Sequence, residues 1–174
     1  LVINVSKRVT GENQNLWGIN IYDISNLEKS FSLSKELNGS DLRSFPSDFV
    51  LNNDETIWIS TYHSGLVLFH PDSGVVQRYA AKNSGTKENP KISCFFSLTK
   101  DPYNDDYLWL SSPRGVHRFN KMTGKFKHYY IDPDGSKEPG KNQAGKLAFL
   151  NKEHLWMVYG EGGVVILNIN NGTI

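Results

Sequence analysis

A glycine recurs through this chain at nearly even intervals, and the residues after it recur with it. Gly65 is followed at the fourth position by Phe69, at the ninth by Gly74 and at the fourteenth by Tyr79. From Gly115 the same steps reach Phe119, Gly124 and Tyr129. From Gly163 they reach Leu167 and Gly172. Upstream, Gly18 leads to Tyr22 at the four-residue step. The four glycines stand 47, 50 and 48 residues apart. A fixed period of this length means one supersecondary unit used repeatedly, each copy burying its apolar face against the next.

Each unit reads as four short strands, lettered A to D from the hub outward. Strand A is an apolar run: Phe49-Val50-Leu51, Cys94 to Leu98, or Leu147 to Leu150. A polar turn follows, such as Asn52-Asn53-Asp54-Glu55. Strand B carries a tryptophan: Trp58, Trp109 or Trp156. The glycine opens strand C at a tight turn, where a positive φ is often needed. A second turn, His70-Pro71-Asp72-Ser73-Gly74 or Asn120-Lys121-Met122-Thr123-Gly124, leads to strand D. No long stretch has helical periodicity. Short strands, evenly spaced with a Gly/aromatic motif per unit, are the cue for a propeller blade.

The expected fold is therefore all-β: a β-propeller segment of about four four-stranded antiparallel blades, two of them incomplete. The approximate blades are 1–43 (partial), 44–91, 92–145 and 146–174 (partial), within a single unit spanning 1–174. The repeat tryptophans are expected to pack between neighbouring blades. Trp17, directly before Gly18, is out of register with them. By this register the chain starts around strand B and stops where a strand D should begin, so it is expected to be part of a larger propeller. Leu1 is no initiator methionine, which points to a trimmed N-terminus.

Composition narrows the function. Formal net charge is +1, from 19 basic and 18 acidic residues, with no Lys/Arg run beyond a dipeptide, so no nucleic-acid partner is expected. No segment approaches the ~18 apolar residues of a membrane helix. The single cysteine, Cys94, permits neither an intrachain disulfide nor a cysteine-based zinc site. In Ser93-Cys94-Phe95-Phe96 it reads as a buried, inert thiol on a strand. Sequons stand at Asn4, Asn38 and Asn171.

The run from Ile57 to Tyr79 resembles the two-component regulator propeller repeat. Leu108 to Tyr129 matches it nearly as well, including the preceding Asp101; Leu155 to Gly172 matches in part and Gly18 to Phe31 faintly. The departures are the missing tryptophan of the first unit and Val158 where two units have Ser60 and Ser111. The resemblance implies a periplasmic or extracellular sensor region of a hybrid two-component histidine kinase, responding to an oligosaccharide. It implies a homodimeric parent whose kinase lies elsewhere in the polypeptide, and no enzymatic activity in this segment.

In a four-stranded antiparallel blade the B–C turn and the D–A connection project from one face. Tyr62, His63, Arg114, Tyr159 and Glu161 should therefore share that face, together with the long connections at about 80–91 and 132–145. Aromatic rings stack on sugars, and a guanidinium grips a carboxylate or sulfate in bidentate fashion. These five residues are the candidate ligand-binding set. No cofactor is implied. The five histidines, His63, His70, His117, His128 and His154, fall at unrelated repeat positions without metal-ligand spacing. Asp132-Pro133-Asp134-Gly135 reads as a turn, since it lacks the further ligands of a calcium loop. No Gly-x-Ser-x-Gly elbow is present. A scaffold for protein docking or dimerisation is the alternative reading. A polysaccharide lyase or glycosidase is a third, since a carboxylate pair can be assembled by folding.

Overall fold

Alternation of apolar and polar residues, broken every few positions by turn formers, gives fourteen strands among the described residues of the computed structural model. Those residues are 2–10, 14–22, 30–32, 46–70, 74–79, 93–138 and 140–174; for 2–32 and 74–76 the backbone alone is described. The strands fall into four antiparallel sheets. The first holds β1 (Val2–Thr10), β2 (Gln14–Tyr22) and β3 (Ser30–Ser32). The second holds β4 (Pro46–Leu51), β5 (Ile57–Thr61), β6 (Leu66–His70) and β7 (Gly74–Tyr79). The third holds β8 (Ser97–Lys100), β9 (Tyr107–Ser112), β10 (Gly115–Asn120) and β11 (Lys125–Tyr129). The fourth holds β12 (Ala144–Asn151), β13 (His154–Tyr159) and β14 (Val164–Asn168). In each, sequential strands are neighbours, so the chain meanders outward through a blade and returns to begin the next. This is the expected segment of four-stranded blades, two of them incomplete. Asn38, Asp72 and the connection at 80–91 lie outside the described residues.

Aromatic packing between sheets explains the spacing of the repeat. Trp58 is 3% exposed and Trp109 fully buried. Trp58 lies 5.5 Å from Tyr79 of its own sheet and 5.3 Å from Phe119 of the next. Trp109 lies 5.5 Å from Tyr129 of its own sheet and 6.0 Å from Phe149 of the next. The glycine nine residues after the ruler glycine completes the arrangement. Gly124 closes its turn onto the Asn120 carbonyl at φ 68°, and a Cβ there would lie 2.9 Å from the Tyr79 ring. The fourteenth-position tyrosine of one blade thus packs under the ninth-position glycine of the next.

Trp156, by contrast, is 40% exposed, and Val158, Val164 and Ile166 beside it are exposed too. Strands β13 and β14 bury alternate residues only, whereas β9 is buried on both faces from Leu108 to Ser112. The uncovered face of the fourth sheet is the one that, in the second and third sheets, is covered by a following blade.

Two local expectations are corrected. Gly18 does not open a strand: it pairs with Ser6 in mid-ladder, and the β1–β2 ladder continues to Thr10↔Gln14. Leu16-Trp17 before Gly18 favours extended pairing, whereas His63-Ser64 before Gly65 favours reversal. The β1–β2 register also sets Ile3, on β1, at the position of the repeat tryptophan. Cys94 lies outside the strand and is half-buried, not buried. The backbone around it bonds to the preceding blade instead: Gly65 N–H donates to Ser93 O (3.1 Å) and Phe95 N–H to Thr61 O (2.9 Å). Partial desolvation raises the Cys94 thiol above its ordinary value.

Candidate functional site

The strands A converge at the hub, and one carboxylate ties three of them. Asp48 Oδ2 on β4 accepts from Ser97 Oγ (3.1 Å) and Leu98 N (3.1 Å) on β8, and from Lys146 Nζ (2.7 Å) on β12. With the hub strands aligned, the β5–β6, β9–β10 and β13–β14 turns stand at corresponding ends of their sheets.

Tyr62 leaves β5 with its ring 37% exposed and 5.8 Å from the half-buried ring of Phe96. His63, next to it, is exposed. Arg114 is exposed at the tip of the β9–β10 turn. A second ring group lies beside that turn. Tyr130 is 43% exposed and packs edge-on at 4.4 Å against His128, with Lys137 Nζ 5.7 Å from its centroid. Glu161 is exposed between Gly160 and Gly162.

Tyr159 is placed differently. It is 9% exposed, and its hydroxyl donates to Lys141 O (2.8 Å) and, longer, to Asp132 Oδ1 (3.5 Å). Desolvation and the Asp132 and Glu161 carboxylates hold its phenol above the ordinary value. Tyr159 therefore fastens the connection that enters the fourth blade. Buried Asn142 fastens the same connection, accepting from Ile131 N (2.7 Å) and Asp132 N (3.2 Å) and donating to Ser136 O and Glu138 O. The Asp132 carboxylate is taken up by the N–H groups of Asp134 and Ser136, as a turn requires. Among the described residues no group of three or more His, Cys, Asp or Glu is arranged to hold a metal.

The Arg114 turn rests on two imidazoles, His117 buried and His128 half-buried. Ser112 Oγ donates to Gly115 O (3.2 Å) and accepts from Arg114 N–H (3.0 Å), with His117 Nε2 at 2.9 Å. His128 Nε2 donates to Arg114 O (2.7 Å). The two imidazoles stack 4.6 Å apart at 9°. Gly115 is irreplaceable at φ 125°: a Cβ would lie 2.2 Å from Tyr129 O. Burial drives His117 well below the ordinary imidazole value, with the charge of His128 acting the same way; burial also lowers His128, against its bond to Arg114 O.

Phe96, Tyr130 and His128 were absent from the sequence-derived set. Their signal is the aromatic doublet. In Phe95-Phe96 and Tyr129-Tyr130 the chain is extended, so the first ring enters the core and the second points away.

The sequence matches no family model. No curated protein matches it at a significant level. Solved structures do match in fold. The extracellular domain of the hybrid two-component system BT3049 from B. thetaiotaomicron superposes with a TM-score of 0.69 at 20% identity, covering 97% of this chain and 24% of that one. That of BT4673 from the same organism gives 0.57 at 16% identity, over 79% of this chain and 18% of that one. PorZ, a bacterial surface component of the type-IX secretion system of Porphyromonas gingivalis, gives 0.66 at 17% identity, over 97% and 24%. The chain spans about a quarter of the length of BT3049 and PorZ.

Proposed function

We propose that this chain is part of the extracytoplasmic sensor propeller of a two-component signalling protein, and that its loop end binds a polar, sugar-like ligand. The observation that carries the binding site is the pairing of half-exposed rings with a cation. Tyr62 on Phe96 offers one stacking surface, Tyr130 on His128 a second, and Arg114 reaches solvent beside them. Sugar C–H faces pack on such rings, and a guanidinium adds bidentate recognition of a carboxylate or sulfate. An acidic oligosaccharide satisfies both. The sensor role, and a place outside the cytoplasm, are supported by the blade motif and by the likeness to the extracellular domains of BT3049 and BT4673. In this reading the parent is a homodimer whose kinase output lies beyond this segment, and the segment catalyses no reaction.

Isothermal titration of the parent's extracytoplasmic region with neutral and uronic-acid oligosaccharides tests the reading. Binding should weaken at least about tenfold in Arg114→Ala, the loss of one charge-assisted contact of roughly 1.5–3 kcal/mol. Binding that survives loss of both Arg114 and Tyr62 excludes this face.

A second reading, a scaffold that docks another protein, is favoured by the likeness to the surface component PorZ and by the exposed apolar face around Trp156. It predicts a stable partner or dimer in size-exclusion chromatography of the parent without any oligosaccharide response.

A further inference from the structure

The stacked imidazoles under the Arg114 turn are unusual in what they lack. His117 is fully buried, and its Nδ1 has no hydrogen-bond partner. Its Nε2 lies 2.9 Å from Ser112 Oγ, so the ring is held through one nitrogen only. His128, half-buried beside it, donates Nε2–H to Arg114 O at 2.7 Å. A proton arriving at Nδ1 would place charge in a dry site, without an acceptor, on the face of a second imidazole.

The groups around the pair oppose that charge or ignore it. From the turn comes the Arg114 guanidinium, which disfavours protonation of His128. From just beyond β11 comes the Tyr130 phenol, with the Lys137 ammonium over its ring. From the segment leading into β8 comes the apolar Phe95 ring, 5.7 Å from His117, next to the Cys94 thiol. Arg118 and Lys127 pair with each other one position along from His117↔His128, so they project to the opposite face of the sheet. No carboxylate is among these described neighbours.

We propose that the His117–His128 stack is a proton-sensitive latch on the Arg114 turn: neutral, it fixes the turn through Ser112 and the Arg114 carbonyl, and protonated, it releases it. The functional side of this inference rests on the reading of the loop end as the binding face. The closed turn holds both imidazoles below their ordinary value, and the open turn lets them take that value, about 6.5. Above that pH the latch is fully set. Below it, each unit of pH favours the open turn about tenfold per imidazole, until the depressed closed-state value is reached. A sensor built this way recognises its ligand at neutral pH and loses recognition as its surroundings acidify.

Two readings on the full parent protein test the latch without ligand. Histidine C2–H exchange followed by mass spectrometry should show His117 and His128 titrating below the ordinary imidazole value. Amide exchange of residues 114–116, corrected for intrinsic rates, should lose protection by up to about 30-fold per imidazole between pH 7.5 and 5.0. In His117→Gln/His128→Gln, which keeps neutral donors, protection should be insensitive to pH. Ordinary titration of both histidines, or protection that is the same at both pH values in the unaltered protein, overturns the latch whether or not the variant folds. Absence of oligosaccharide binding at pH 7.5 counts against the binding face, not the latch.

Discussion

At the scale of single residues, the repeat keeps those that anchor an indole and those that let strands approach. Asp101 shows how much one side chain can hold. Its Oδ2 accepts the buried Trp109 Nε1–H at 3.1 Å, and its Oδ1 caps the turn N–H groups of Tyr103 and Asn104. Trp58 has no such carboxylate, and its Nε1 is buried without a partner. Asp101→Ala should therefore cost about 2–4 kcal/mol, a buried orphaned indole N–H plus a lost turn cap, read by chemical denaturation. Asp101→Asn, which keeps an acceptor for the turn, should cost less. Asp101 was visible in the sequence because it sits in the motif. The burial of Tyr159 was missed, although strand parity announces it. Tyr159 falls three residues after Trp156, on the face opposite it, whereas Tyr62 falls four after Trp58 and beyond its strand.

Among elements, periodicity and turn chemistry gave strand order and sheet membership for the second, third and fourth blades. They failed where the chain left its own ladder. The glycine ruler placed Gly18 in correct register but wrongly implied a turn, because a glycine is also tolerated mid-strand. Residues 93–96 looked like a strand from composition alone, yet the backbone of Ser93 and Phe95 bonds to the preceding blade's turn, and no local pattern encodes a partner about thirty residues away. The faces of the sheets differ in a way that energetics should expose. Trp109→Ala removes a ring packed on both sides, at about 3–5 kcal/mol. Trp156→Ala in this 174-residue chain removes a ring that is 40% exposed and should cost less than about half as much. Urea denaturation of the two variants checks the difference. In any longer chain whose next blade covers the Trp156 face, the two costs should converge.

For the molecule as a whole, propeller architecture turns a weak one-dimensional repeat into a surface that no single repeat contains. Asp48 on the hub strand of one blade engages the hub strands of two others, a contact spanning 98 residues that no spacing rule predicts. The same convergence gathers the turns of successive blades at one end, where Tyr62, Arg114 and the rings of Phe96 and Tyr130 are offered to solvent. That these turns belong to one face was readable from strand counting; which side chains remain exposed there was not, because exposure depends on packing between blades. The most direct test is the signalling output of the intact parent protein with Tyr62, Phe96 and Arg114 all changed to alanine. The account predicts correct surface display with the oligosaccharide response abolished. An undiminished response from that triple variant would contradict it.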